Sequence, residues 1–421
     1  MITTLKNELN RSKTFISFVS FKFVGEGLVF ALPLILAKFL SPAGFGSFSL
    51  SMMIVFFCSA ILLASSQTPF IVHAGEEFKR EGSIKKSFTN QLIFFATSIF
   101  LFLMLATLFN KSLLEFARIT DRQLLFLGVA YMGVCIRMTV SNTFLALNKR
   151  AEHSIYEFLT GLIAIFLVFT VYVRYVIDFE TVFMIYFISP VFATLSMSML
   201  KTIDFNRILP LTFDSGIFKQ MFHWTKWQIM GLTAVYFVNW GDNLVLRYFV
   251  SMEEIGVYNL GYQIFKGLIV ATFILNSYFL PFVAQNIDDK GKMREYLYVK
   301  RPKIMLIGVL CVIFIFIAVP PIFNFIYGDV YSGSVTILRL LLVCVPFRIF
   351  DTLYLPIFNS IKKYKYIQVT SVAQVLLNVL LNVVLVSIYG FIGAAVATTI
   401  SYILRSLINI IYFNKIKHIV I

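Results

Sequence analysis

Apolar runs of roughly twenty residues recur from one end of this sequence to the other, each long enough to cross a hydrocarbon core about 30 Å thick as a helix. In such a layer each helix must satisfy its own backbone N–H and C=O groups, so an all-α polytopic membrane protein is expected. Twelve spans can be drawn, at 15–37, 48–70, 90–109, 124–147, 154–176, 182–200, 226–249, 256–284, 304–326, 335–360, 367–388 and 392–413. Composition agrees: 59% of residues are hydrophobic and 14% charged, with a mean hydropathy of +0.85, where soluble domains carry about 25% charged residues. The run 15–37 is too long for a signal-peptide core and no small-x-small cleavage site follows it, so it reads as the first span.

The connections between spans are short, the longest being 201–225 and 285–303, and these are also the most basic. The N-terminal tail, alternate loops and C-terminal tail together hold 24 Lys and Arg, whereas the opposite side holds only Lys38, Lys111, Arg118 and Arg122. That asymmetry places both termini in the cytoplasm. Much of the net charge of +15 is then a topology signal reinforced by anionic headgroups, and nucleic-acid binding is not implied. Cys58, Cys135, Cys311 and Cys344 lie inside apolar runs without a CxxC pair, which favours buried free thiols. Three of the four histidines (His73, His153, His418) are expected in loops or tails, and His223 beside a membrane boundary. No metal-ligand spacing occurs, and no cofactor is expected.

An internal echo organises the chain. LSPAGFGSFSL (40–50) and VSMEEIGVYNL (250–260) share Ser41 with Ser251, Gly46 with Gly256 and Leu50 with Leu260, and Phe48 matches Tyr258. The first joins spans 1 and 2, the second spans 7 and 8. A fainter echo links FLALNKR (144–150) with FNSIKKY (358–364). Both copies run the same way through the membrane, as expected of two six-helix lobes in a parallel repeat, 1–205 and 206–421.

Charges inside the spans point to a ligand. Eight cations fall there: Lys22, Arg137, Arg174, Arg247, Lys266, Arg339, Arg348 and Arg405, against Glu26, Glu157, Asp242 and Asp351. A charge facing lipid at mid-depth costs on the order of 2.5–3.5 kcal/mol, so these residues must pair, snorkel or line a wet cavity. Arg174, Arg247 and Arg339 lie near span ends and are expected to snorkel. Lys22, Arg137, Lys266, Arg348 and Arg405 sit deeper and are the substrate-binding candidates, with interhelical ion pairing as the rival reading. Lys22 with Glu26 and Arg348 with Asp351 are spaced for local pairing. Even complete pairing leaves a surplus of positive charge, which favours an anionic ligand. Trp224 and Trp227 read as interfacial anchors, while Trp240, beside Asp242 and Asn243, is a candidate for sugar contact. Glu26, Asp242 and Asp351 are the carboxylates able to couple an ion. Gly25, Gly27 and Pro33 are expected to loosen span 1 around Glu26, and Pro346 and Pro356 to interrupt span 10 around Arg348 and Asp351.

LSPAGFGSFSLSMM after the first span, ALNKRAEHSIYEF opening span 5 and YGFIGAAVATTISYILR entering span 12 resemble the polysaccharide-transporter branch of the multidrug/oligosaccharidyl-lipid/polysaccharide exporters, and within it the O-antigen flippases. The resemblance covers the whole chain. It implies a V-shaped bundle with a central cavity and alternating access. It also implies transfer of an undecaprenyl-pyrophosphate-linked oligosaccharide from the cytoplasmic to the periplasmic leaflet of a bacterial inner membrane. The polymerase and chain-length regulator of the same pathway are implied as partners, beside the lipid bilayer. Arginine would grip the pyrophosphate bidentately and lysine would add a compact charge. Two alternatives stand beside this reading. A cation-coupled exporter of small solutes would need a carboxylate-rich cavity, and a membrane polymerase or transferase would need a larger outer loop than 110–123.

Overall fold

The computed structural model describes residues 24–25, 27–174 and 177–420, with no strand among them. The helices are α1 (Gly27–Phe39), α2 (Pro42–Ser59), α3 (Ser65–Glu81), α4 (Lys85–Leu108), α5 (Asn110–Ala117), α6 (Asp121–Ala146), α7 (Arg150–Arg174) and α8 (Phe179–Met199). They continue as α9 (Ser215–Phe249), α10 (Met252–Asn286), α11 (Lys290–Glu295), α12 (Arg301–Tyr327), α13 (Ser332–Leu342), α14 (Val345–Thr352), α15 (Leu355–Ser360), α16 (Tyr364–Tyr389) and α17 (Phe391–Val420). Single π-helical turns join α2 to α3 (Ala60–Ala64) and α11 to α12 (Tyr296–Lys300).

Among the described residues, nine helical stretches are long and apolar enough to cross a membrane, and they fall on nine of the expected spans. The expected seventh and eighth coincide with α9 and α10, each 35 residues long. The first lies partly outside the described residues. Helices also extend into what the sequence suggests are connections. α9 begins at Ser215, inside the expected loop 201–225, while α5 occupies part of 110–123 and α11 part of 285–303. The early start of α9 puts Trp224 and Trp227 on a helix, both exposed. The histidines shift similarly: His73 lies within α3, His223 within α9 and His153 within α7, where it is buried.

Internal contacts divide the chain into two compact units, one of Met1–Leu40 with Ser47–Tyr236 and the other of Ser41–Gly46 with Phe237–Ile421. In the first, α6 approaches α8 at Gly133, where a Cβ would run into the Tyr186 carbonyl oxygen. Gly25 makes room for α7: a Cβ there would sit 2.9 Å from the Phe158 backbone nitrogen. Helix α1 runs unbroken through Pro33. The buried Glu77 carboxylate accepts from the Lys86 and Ser87 N–H groups at 2.9 and 2.8 Å, capping α4 from α3.

In the second unit the repeated sequence acquires a structural meaning. Ser251 caps α10 in a reciprocal capping box with Glu254, and Ser41 accepts from the Gly44 N–H at 3.1 Å. Gly46 and Gly256 then meet: a Cβ on Gly46 would strike the Met252 carbonyl oxygen, and one on Gly256 would strike that of Pro42. The matched Ser and Gly pairs therefore encode a helix start and a close backbone approach.

Replacing Gly133 by Leu should prevent α6 from seating on α8 and lower the detergent-solubilised melting temperature by several degrees or abolish the monodisperse peak. Gly75→Ala in α3, where nothing lies within 4 Å, should leave the melt unchanged or raise it slightly. Equal behaviour of the two variants would refute this packing.

Candidate functional site

The expected span 335–360 is broken into α13, α14 and α15, with Pro346 and Pro356 in the first turns of the second and third pieces. Proline lacks the N–H that would continue the helix, which favours a break at each site. Carbonyls around the breaks also accept from hydroxyls: Thr399 donates to the Leu340 carbonyl at 3.0 Å, Ser406 to that of Phe347 at 2.9 Å and Tyr296 to that of Leu353 at 2.7 Å. The sequence expectation of an interruption around the charged pair holds. Its consequence is a short helix presenting Arg348 and Asp351 one turn apart, both buried.

Asp351 is held from several directions. Arg348 Nη1 donates to Oδ2 at 2.8 Å, Asn409 donates to Oδ1, and Arg405 Nε lies 3.7 Å from Oδ2. Arg405 Nη1 also donates to Gln374 Oε1 at 2.6 Å. Two guanidinium groups thus share the Asp351 carboxylate.

A second group forms around Asp242, which is 3% exposed. Its carboxylate accepts from the Tyr258 hydroxyl at 2.5 Å, Asn382 Nδ2 at 2.7 Å and the Thr398 hydroxyl at 2.8 Å. These donors are all neutral. Asn378 donates to the Thr398 oxygen at 3.1 Å, and Asn382 Oδ1 has no hydrogen-bond partner although buried. Carboxylate, amide and hydroxyl oxygens gathered in this way suit a proton or a small hard cation. Among the described residues no cluster of three His, Cys, Asp or Glu side chains could hold a metal.

Lys266 joins Trp240 close by in sequence, its ammonium 3.6 Å from the indole ring centroid and 5.1 Å from that of Tyr262. The indole contact is a cation–π interaction. Tyr258 stacks on Tyr262 at 5.4 Å, Tyr262 meets Phe265 at 5.6 Å, and Phe265 meets Tyr402 edge-on at 5.9 Å. Arg348 lies 5.6 Å over the Tyr402 ring. One aromatic row therefore connects the Asp242 group to the Arg348 group.

In the first unit Arg137, on α6, pairs with Glu157, on α7. Its Nε donates at 2.8 Å to Oε2, which also accepts from the second guanidinium nitrogen. Ser141 donates to the other carboxylate oxygen at 2.6 Å and lies 2.9 Å from His153 Nδ1. Arg137 is an interhelical pair member here, the rival reading from sequence, with its side chain still 27% exposed. Arg339 is exposed and lies over the Phe316 ring, consistent with snorkelling. Lys22, Glu26 and the side chain of Arg174 lie outside the described residues.

Of the sequence candidates, Arg348, Asp351 and Arg405 come together, as do Trp240 and Lys266; Asp242 is gripped by residues not singled out beforehand. The missed residues, Tyr258, Gln374, Asn378, Asn382, Thr398 and Asn409, are uncharged. A signal existed in QVLLNVLLN, where Gln374, Asn378 and Asn382 recur every fourth residue along one face of α16.

A profile of the family described as polysaccharide biosynthesis protein matches residues 35–336. The chain belongs to this family. One relative, the probable low-salt glycan biosynthesis flippase Agl15 of Haloferax volcanii, is 23% identical over 201 residues, 47% of this chain. The chain spans only 42% of that protein's length. The structure of the lipid II flippase MurJ in an inward closed conformation superposes with a TM-score of 0.76 at 15% identity, covering 95% of this chain and 87% of MurJ. An inward-facing multidrug resistance MATE family transporter of the MOP superfamily gives 0.70 at 15% identity, over 96% of this chain and 98% of the transporter. The family member described here thus has the all-α fold of these flippases and transporters, and the similar proteins are not enzymes.

The Arg137–Glu157 pair predicts a specific ordering of stabilities. Glu157→Leu, which removes the carboxylate that Arg137 and Ser141 share, should lower stability by about 2–3 kcal/mol, and R137M/E157L should recover part of it. Thermal melts of the purified variants in one detergent test this; a double variant no more stable than Glu157→Leu would show that the pair is not the partner that matters.

Proposed function

We propose that this chain is a flippase carrying an undecaprenyl-pyrophosphate-linked oligosaccharide, the O-antigen or a related surface polysaccharide unit, from the cytoplasmic to the periplasmic leaflet by alternating access. The observation that carries the reading is the arrangement of buried and half-buried cations in a polysaccharide biosynthesis family member. Arg348 and Arg405 share the single carboxylate of Asp351, and Lys266 faces aromatic rings. A cation-exporting site would be expected to have the opposite surplus. Guanidinium groups match a pyrophosphate geometrically, and Trp240 offers a flat surface on which a sugar can stack.

The chain is a multi-pass membrane protein, and in this reading it lies in the bacterial inner membrane with both termini in the cytoplasm. The 24-to-four distribution of Lys and Arg supports that orientation of the termini. The polymerase and chain-length regulator of the pathway would receive its product. Lys22 and Arg137 remain substrate-contact candidates in this proposal, beside Lys266, Arg348, Arg405 and Trp240.

Of the three carboxylates considered for coupling, Asp242 has the fittest surroundings. Asp351 is engaged by two arginines and Asn409, and its protonation would leave both guanidinium groups less compensated. Asp242 has only neutral donors and a neighbouring amide oxygen without a partner. It can bind and release a proton or small cation without dismantling an ion pair. Glu26 lies outside the described residues.

Deleting the gene should cause a lipid-linked oligosaccharide to accumulate on the cytoplasmic face of the membrane. The wild-type chain should clear it, whereas D242N and R405Q, inserted at normal levels, should export at about one-tenth the rate or less, the loss of roughly 1.4 kcal/mol or more of useful interaction. No accumulation after deletion would sink the flippase reading. Normal export by D242N would remove Asp242 from coupling, and normal export by R405Q would remove that arginine from substrate binding.

A further inference from the structure

The second unit holds another cation that neither the Asp242 group nor the Arg348 group uses. Arg301 opens α12, and its guanidinium carbon lies 3.8 Å from the ring centroid of Tyr354 and 4.0 Å from that of Phe350. The residue is 6% exposed, and among the described residues no carboxylate pairs with it. A buried arginine without an acid needs another source of negative charge or an opening to water. A cavity of about 410 Å³ opens beside it, lined in part by Tyr298, Pro302, Met305, Asn414 and Lys417.

The lining has a definite chemistry. It offers a guanidinium, an exposed ammonium, phenols and a carboxamide, and among the described residues no carboxylate lines it. Pro302, Met305 and the two rings supply apolar surface on the same wall. Its depth is also informative. Arg301 stands just before the apolar stretch 304–326 and Lys417 just beyond 392–413, the level at which headgroup phosphates meet the hydrocarbon. The two aromatic rings fix the guanidinium at the cavity wall, and guanidinium is a group that grips phosphate oxygens.

We propose that this cavity is a binding site for a lipid-borne phosphate, with Arg301 and Lys417 as its anion-binding residues and the apolar wall receiving the start of the lipid chain. The ligand is either a resident anionic phospholipid or the pyrophosphate of an isoprenoid carrier. Only the second source rests on the flippase reading, so the site can stand if that reading fails.

The test is native mass spectrometry of the purified full-length protein titrated with phosphatidylglycerol, farnesyl pyrophosphate or phosphatidylcholine. One of the two anionic lipids should bind about tenfold or more tightly than phosphatidylcholine. R301Q and K417Q should each lose about fivefold or more of that preference, with R301K keeping part of it. Preference for phosphatidylglycerol would assign a resident phospholipid, and preference for farnesyl pyrophosphate would assign the isoprenoid carrier. Absence of any anionic preference in the wild type, or its full retention in K417Q, would overturn the site. Lys417 is exposed, so K417Q decides the matter even if R301Q does not fold.

Discussion

A polar group carried into an apolar helical bundle has to be answered by another polar group, and the second unit is organised around that requirement. Asp351 illustrates it most fully. A bare carboxylate buried to this degree would be several kcal/mol unfavourable even after relaxation, yet Arg348, Arg405 and Asn409 converge on it from two helices. The interruption of the span at Pro346 and Pro356 puts Arg348 and Asp351 on a short segment, and Thr399 and Ser406 of α17 donate to the Leu340 and Phe347 carbonyls beside it. The polar face of α17 follows from the same demand. Thr398, Arg405 and Asn409 recur at helical spacing and serve the two acidic groups in turn.

The two buried acids of this unit are solved in different ways, and the difference bears on mechanism. Asp351 is neutralised by cations, so its charge state is tied to an ion-pair cluster. Asp242 is stabilised by three neutral donors, and its local net charge can change on binding a proton or cation. The aromatic row from Tyr258 to Tyr402 lies between them. These packed rings put the Asp242 group and the arginine cluster in one contiguous array. In the first unit the offset of the repeat sets Leu32 opposite Asp242 and Phe48 opposite Tyr258. The repeated scaffold has thus kept its helix starts while the chemistry of its two halves differs.

Much of the fold was legible because the membrane leaves a chain few choices. Span-length apolar runs marked the helices, and Pro346 with Pro356 marked the break in span 10. Ser251, Gly256 and their counterparts marked a repeat, but the helix start and the close approach they encode emerge only from the packed backbones. The site was legible only where it carried charge. Arg348 and Asp351 betrayed their pairing by spacing, but Arg137 and Glu157 lie on separate helices and their pairing depends on tertiary packing. The Asp242 cage was harder still, since Tyr258, Asn382 and Thr398 are unremarkable singly and come together only when α9, α10, α16 and α17 pack. Gly25 carries a further role that sequence spacing did not show, since its missing side chain makes room for the α7 backbone. The start of α9 was placed too late because its first turns carry polar and aromatic residues of an interfacial kind.

The central claim is that the buried cationic groups serve the movement of a pyrophosphate-linked sugar lipid. The most direct measurement is transbilayer transfer by the purified protein in proteoliposomes, comparing a lipid-linked oligosaccharide with a cationic dye under the same imposed gradients. The account predicts protein-dependent movement of the lipid-linked oligosaccharide between leaflets and no movement of the dye. Movement of the dye, with the sugar lipid left in its original leaflet, would contradict it.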